Sequence, residues 1–175
     1  MEHMIMTRLL TVFIGMVLLA PAAGAEPSSA VAFDVATVQL LRTADPARGE
    51  ALAKESKCSK CHGDNGVSED PADVNIAGMR PSYIFNHLSD YSDENSHDRD
   101  MYKHTSDLHD QQLADMPLWF AAQQPLAPAD DRIRDPAILR LVYEGDPELL
   151  IKACASCHGR RGRGGQFDHP ALAGQ

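Results

Sequence analysis

The sequence predicts an all-α chain of two tandem units joined by a linker, and three observations predict it. No strand pattern of any length occurs in the 175 residues, whereas apolar positions recur at helical spacing. The pentapeptide Cys-x-x-Cys-His occurs twice, at Cys58, Cys61 and His62 and again at Cys154, Cys157 and His158, and these four cysteines are the only ones present. Between the copies, PLAPADDRIRDP (125–136) is rich in Pro and Asp and has no periodic apolar face, the signature of a linker.

The elements follow in order. Residues 1–25 read as a signal peptide, with Arg8 as a thin positive region, an apolar run from Leu9 to Ala20, and small residues at Ala23 and Ala25 that fit cleavage after Ala25. The rival reading, a retained membrane anchor, needs roughly 20 apolar residues, and this run has about a dozen. Residues 26–43 form an N-terminal extension. Residues 44–124 form the first unit: a helix capped by Asp45 with Pro46 in its first turn, the first Cys pair, a middle helix and a closing helix. Residues 137–175 form a second unit, in which Gly145, Asp146 and Pro147 give a stop, a cap and a restart. The formal net charge of −9 argues against a nucleic-acid partner.

Export places the thiols in an oxidising compartment, where a Cys-x-x-Cys pair has several uses. Structural zinc pairs sit about 15–20 residues apart, whereas these are separated by most of the mature chain. A thioredoxin-like redox pair needs a strand leading into it, and ALAKESKCSKCHG and ELLIKACASCHG read as helical approaches. Simple disulfides leave the repeated His unexplained. The remaining reading is covalent haem attachment: each pair of thiols adds to the vinyl groups of one haem, and the adjacent imidazole becomes an axial ligand of iron. Cys58 and Cys61 would anchor one haem c with His62 as ligand; Cys154 and Cys157 would anchor a second with His158.

At this point the chain resembles the class I c-type cytochromes and, among them, the dihaem cytochrome c4 family, in which two such domains run in tandem. DPARGEAL resembles the family's N-terminal helix, with Gly49 where a missing side chain lets another helix cross closely. IAGMRPSYIFNHLSDY resembles its loop and middle helix, and LHDQQLADMPLWFAAQQP its closing helix, with Trp119 and Phe120 packing toward the haem and the first helix. LVYEGDPELLIKACASCHG and HPALAGQ resemble the corresponding stretches of the second domain. The resemblance covers essentially residues 44–175. It implies tandem class I cytochrome c domains, the second incomplete as written.

The resemblance also implies a Met ligand from the loop before the closing helix, and Met101 stands at that spacing. His104, His97 and His87 are the alternatives, and Met116 reads as core. Several departures stand out. Val74 occupies a position where the family often has Pro, and Met79 one where Gln usually closes the AGQ signature, so His62 is expected to find a different orienting carbonyl. Pro117 falls inside the closing helix, where it should kink it or cost about 3 kcal/mol. The stretch SDYSDENSHDRD is an acidic loop, read as solvated surface or as a docking face for a basic partner.

No Met follows His158. Three readings of the second unit stand: a truncated or incomplete sequence, a short variant whose second haem is five-coordinate or covered by a partner subunit, or ligation by His169. In the last case the rival is that Pro170 merely offers its carbonyl to His158. Arg160, Arg161 and Arg163 make that end basic.

The function the resemblance implies is that of a periplasmic carrier of single electrons, not an enzyme, working between a quinol-oxidising complex or dehydrogenase and a terminal oxidase. Two alternatives stand beside it: a haem c subunit of a larger oxidoreductase, with association to a membrane complex, and a haem peroxidase or gas binder at an open second haem.

Overall fold

The computed structural model describes residues 34–127, 135–165 and 168–175. The signal-peptide segment, the start of the extension and most of the linker lie outside the described residues. Those described form eight helices and no strand, and the one β-type pairing among them is an isolated bridge between Asp146 and Ile151. No helix among them is long and apolar enough to cross a membrane.

The extension contributes a helix that sequence reasoning did not place. Helix α1 (Val35–Arg42) starts where the Asp34 carboxylate accepts the Thr37 N–H at 2.8 Å. Its Leu40 and Leu41 pack against the buried cluster of Phe85, Leu113 and Ala114, so α1 belongs physically to the first unit.

Helix α2 (Pro46–Glu55) begins as expected, with the Asp45 carboxylate accepting the Ala47 N–H at 2.8 Å and Pro46 at its first turn. It crosses α6 (Asp110–Ala121) at Gly49, where a Cβ would lie 2.3 Å from the Asp115 carbonyl oxygen and 3.1 Å from the Met116 Cα. Hydrogen fits there, and a methyl group does not.

The same crossing carries an ion pair invisible in the sequence. Asp115, 1% exposed, receives Arg48 Nε at 2.6 Å and Nη2 at 2.8 Å, the Asp45 N–H at 2.8 Å and Gln111 Nε2 at 3.0 Å. Burial pushes this carboxyl up, but those donors outweigh it and hold it below the ordinary aspartate value.

Helix α4 (Pro81–Ser92) buries Ile84, Phe85 and Asn86 and packs on α6. Pro117 is fully buried within α6, and the helix runs on to Ala121. The missing amide removes the donor that would have met the Leu113 carbonyl. The acidic stretch is less of a loop than expected: Ser89–Ser92 complete α4, and Asp98 caps α5 (Arg99–Thr105) by accepting from the Asp100 and Met101 N–H groups at 3.0 Å each.

In the second unit α7 begins one residue earlier than expected. It spans Pro136–Tyr143, with the Asp135 carboxylate accepting the Ala137 N–H at 2.8 Å. Asp146 caps a turn, accepting from Glu148 and Leu149 N–H, but no helix restarts. The Asp146–Ile151 bridge holds the approach to Cys154 instead, which corrects the helical reading of ELLIKACASCHG; Leu150 has φ +57°, outside the helical region.

Candidate functional site

The two Cys pairs sit on single-turn helices, α3 (Ser59–His62) and α8 (Cys154–His158), and the loops after them are built alike. Gly63 and Gly159 end the turns at φ +72° and +79°, and accept from the Gly66 and Gly162 N–H groups. The carbonyl of Gly66 accepts from Ile76 and Ala77 at 2.8 and 2.9 Å, and that of Gly162 from Leu172 and Ala173 at 2.8 and 3.0 Å. Added side chains at Gly63 and Gly66 would meet the Val67 carbonyl at 2.0 Å and the Ala77 amide nitrogen at 2.8 Å, so both loops close only through glycine.

Each loop delivers one carbonyl to one imidazole. His62 Nδ1 lies 2.8 Å from the Val74 oxygen and His158 Nδ1 lies 2.9 Å from the Pro170 oxygen, in both cases twelve residues apart. A carbonyl only accepts, so Nδ1 carries the proton and Nε2 keeps its lone pair, the state a metal-ligating histidine requires. The expectation that His62 uses a different carbonyl is therefore corrected. The acceptor is backbone, and Val supplies it at this position as Pro does in the second loop.

A cavity of about 340 Å³ opens beside α3, within the range of cofactor clefts. Cys58, Cys61 and His62 line it together with Met79, Met101, Met116, His87 and Phe120. Its floor is the buried cluster of Ala53, Met79, Ile84 and Phe120, with Tyr83, Leu88 and Trp119 packed against it. Burial pushes the Cys58 thiol and the Tyr83 and Tyr91 phenols up and the His87 imidazole down. These walls are neutral at neutral pH, which suits a flat apolar ring. The fit is good: two thiols, an unprotonated Nε2 and soft thioethers face one apolar cleft.

Met101 lies on α5, not on a loop, and lines the cavity. Of the alternatives, His87 lines it too, and His97 and His104 are exposed and do not. Met116 is core as expected, 1% exposed, while also reaching the cavity. Sequence reasoning missed Met79, 2% exposed and also on the wall. Its replacement of the usual Gln was the signal that could have found it.

Near the second pair, His169 stands edge-on to His158 with ring centroids 6.2 Å apart, immediately before the Pro170 carbonyl that Nδ1 faces. Tyr143 holds this corner, its ring under the Arg160 guanidinium at 5.1 Å and its hydroxyl donating to the Arg160 carbonyl at 3.3 Å. All four cysteines are free thiols in the structure, and among the described residues no group of three or more His, Cys, Asp or Glu gathers to hold a metal.

Comparison with known proteins agrees with this geometry. The family model "Cytochrome C oxidase, cbb3-type, subunit III" matches residues 44–119. The chain is 34% identical over 122 residues to a cytochrome c4 of Thiocapsa roseopersicina, covering 70% of this chain and 62% of the relative's length. It is 30% identical over 142 residues to the cytochrome c4 of Azotobacter vinelandii, covering 74% and 68%. Among solved structures, reduced recombinant cytochrome c4 from Pseudomonas stutzeri superposes with a TM-score of 0.61 at 25% identity, over 74% of this chain and 73% of that one.

Proposed function

The chain belongs to the cytochrome c4 family, and from that premise we propose that it is an exported, periplasmic dihaem carrier of single electrons, not an enzyme. Cys58 and Cys61 anchor the first haem with His62 as its proximal ligand; Cys154 and Cys157 anchor the second with His158. Met101 is the sixth ligand of the first iron. Haem bound in this way supplies a one-electron couple, and His/Met ligation places its potential above that of a bis-His site.

The observation that carries the reading is the paired imidazole geometry. In both units Nδ1 meets a carbonyl twelve residues on, and Nε2 is left as a ligand beside two thiols. A single such arrangement suits many uses of histidine. Two, on loops with the same glycines and the same hydrogen bonds, suit two copies of one cofactor. For the second iron, Pro170 rather than His169 is the residue that meets His158 Nδ1, which favours His169 as a loop residue over His169 as a ligand.

The proposed partners are redox proteins, a quinol-oxidising complex or dehydrogenase on one side and a terminal oxidase on the other. A second reading, a haem subunit within a larger oxidoreductase, draws on the oxidase-subunit description of the family model and on the apolar residues Leu149, Leu150 and Ile151, which lie exposed beside the second Cys pair. The test is export in a host with haem-attachment machinery, followed by pyridine haemochrome quantification and cell fractionation. Two haems per chain in the periplasmic fraction are expected, falling to one when Cys154 and Cys157 are both replaced by Ala. One haem in the unmodified chain would overturn the dihaem reading.

A further inference from the structure

The loops that serve His62 and His158 are fastened to each other, and the fastening falls on one peptide group. Val74 offers its carbonyl to His62 and is itself 52% exposed, so its side chain does not hold that carbonyl in place. In the second loop the corresponding residue is Pro170, whose ring restricts the backbone. The first loop needs another source of rigidity.

Asn75 supplies it. Its N–H donates to Gln175 Oε1 at 3.1 Å, its carbonyl accepts Gln175 Nε2 at 2.8 Å, and its Nδ2 donates to the Gly174 carbonyl at 2.7 Å. Its Oδ1 accepts the Ser68 N–H at 2.8 Å within its own loop. Three of these four bonds come from the other unit, and two more contacts fix the same segment: Asp168 accepts from the buried Asn86 at 2.7 Å, and Ala171 packs against the cavity floor.

The Asn75 N–H and the Val74 carbonyl are the two ends of one planar peptide. Holding the N–H on Gln175 therefore aims the carbonyl at His62. It also polarises that carbonyl, because hydrogen bonds in series strengthen one another. A stronger acceptor draws the Nδ1 proton, raises the basicity of the imidazole and stabilises ferric iron.

We propose that Gln175 and Asn75 are positioning residues for the first haem, a clamp across the two units that orients and polarises the Val74 carbonyl against His62. This rests on the haem reading above. The second loop has no equivalent, since the residue matching Gln175 is Met79, which offers no amide.

The experiment is potentiometric titration of the haem-loaded protein and of Gln175→Ala and Gln175→Glu, with NMR exchange of the His62 Nδ1 proton. Gln175→Ala is expected to raise the first midpoint potential, leave the second unchanged, and speed that exchange roughly tenfold or more, as loss of a local restraint does. Gln175→Glu is expected to behave like the Ala variant near pH 7, where its carboxylate cannot donate. Near pH 4, where the neutral acid can both donate and accept, it should return to the parent's values at that pH. A change of stability alone, with unchanged potential and exchange, would overturn the clamp. A parent chain that attaches no haem at Cys58 and Cys61 would overturn the haem reading itself, and the two failures are told apart by the haemochrome assay.

Discussion

Replacing Asp115 with Ala removes the carboxylate on which the α2–α6 crossing converges. Four N–H donors lose their acceptor: two from Arg48, one from the Asp45 backbone and one from Gln111. The Arg48 side chain is 50% exposed, so water takes over for the guanidinium and its share is set aside. The Asp45 N–H is half-buried at the mouth of α2, and leaving it unmet costs about 1–2 kcal/mol; the Gln111 bond adds about 0.5–1 kcal/mol. The expected loss is therefore about 2 kcal/mol, or a urea midpoint lowered by about 1 M at an m-value of about 2 kcal/mol/M. Trp119 is the only tryptophan and packs against the cavity floor, so haem should quench it in the folded state and release it on unfolding. A midpoint within about 0.2 M of the parent, with haem attached, would refute the reasoning. Arg48→Ala should cost distinctly less, since the buried N–H of Asp45 keeps its acceptor.

The charge on Asp115 makes a pH prediction. Its carboxyl is held below the ordinary value of 3.8 in the folded state, so the stability it contributes is fully present above that value and is lost as pH falls through the lower, folded one. The gap between parent and Asp115→Asn should stay constant from pH 8 to pH 5 and close below about pH 4, and a gap that widened in acid would contradict the assignment. Gly49→Ala gains about 1 kcal/mol of helix propensity, but its methyl group meets the Asp115 carbonyl, so a net loss of about 1–2 kcal/mol is expected by the same unfolding assay. Met101→Ala should abolish the Met-to-iron absorption band and lower the first potential. An unchanged spectrum would move the ligand to Met79 or His87, which line the same cavity.

What was legible in the sequence was whatever is local. Asp45 and Pro46 announce a helix start within one turn, and the Cys-x-x-Cys-His spacing announces its chemistry within five residues. Gly49 could be read because a missing side chain on an otherwise helical face has few uses besides a close crossing. Asp115 could not, because its partners Arg48 and Asp45 lie nearly 70 residues away and a carboxylate in an amphipathic helix ordinarily faces solvent. The approach to Cys154 misled for the opposite reason: Leu149 and Leu150 have good helix propensity, and the Asp146–Ile151 bridge overrides it. At Val74 the departure from the expected Pro was a real sequence signal with the wrong consequence drawn. The hydrogen bond to His62 uses the backbone and is blind to the side chain, so the substitution changes how the carbonyl is held and not which carbonyl it is.

That last point bears on why two loops of one design need not do the same work. Both use the same glycines and the same bonds to hold an imidazole, yet at corresponding positions one carries Gln175, exposed and bonded to both backbone groups of Asn75, and the other Met79, buried in the floor of the first cavity. A Gln at 79 would set an amide among Ala53, Ile84 and Phe120, where an unmet polar group costs about 1–3 kcal/mol. Met79 thus serves the first cavity, and what it gives up is the cross-unit amide that would have held the second loop. The His62 acceptor is then polarised from behind by an amide, while the matching position for His158 has no such side chain and relies on the stiffness of Pro170. Even if both irons had the same pair of axial ligands, this difference alone would place the first potential below its otherwise expected value relative to the second. Gln175→Ala should therefore change the separation between the two waves of a redox titration by shifting the first wave alone.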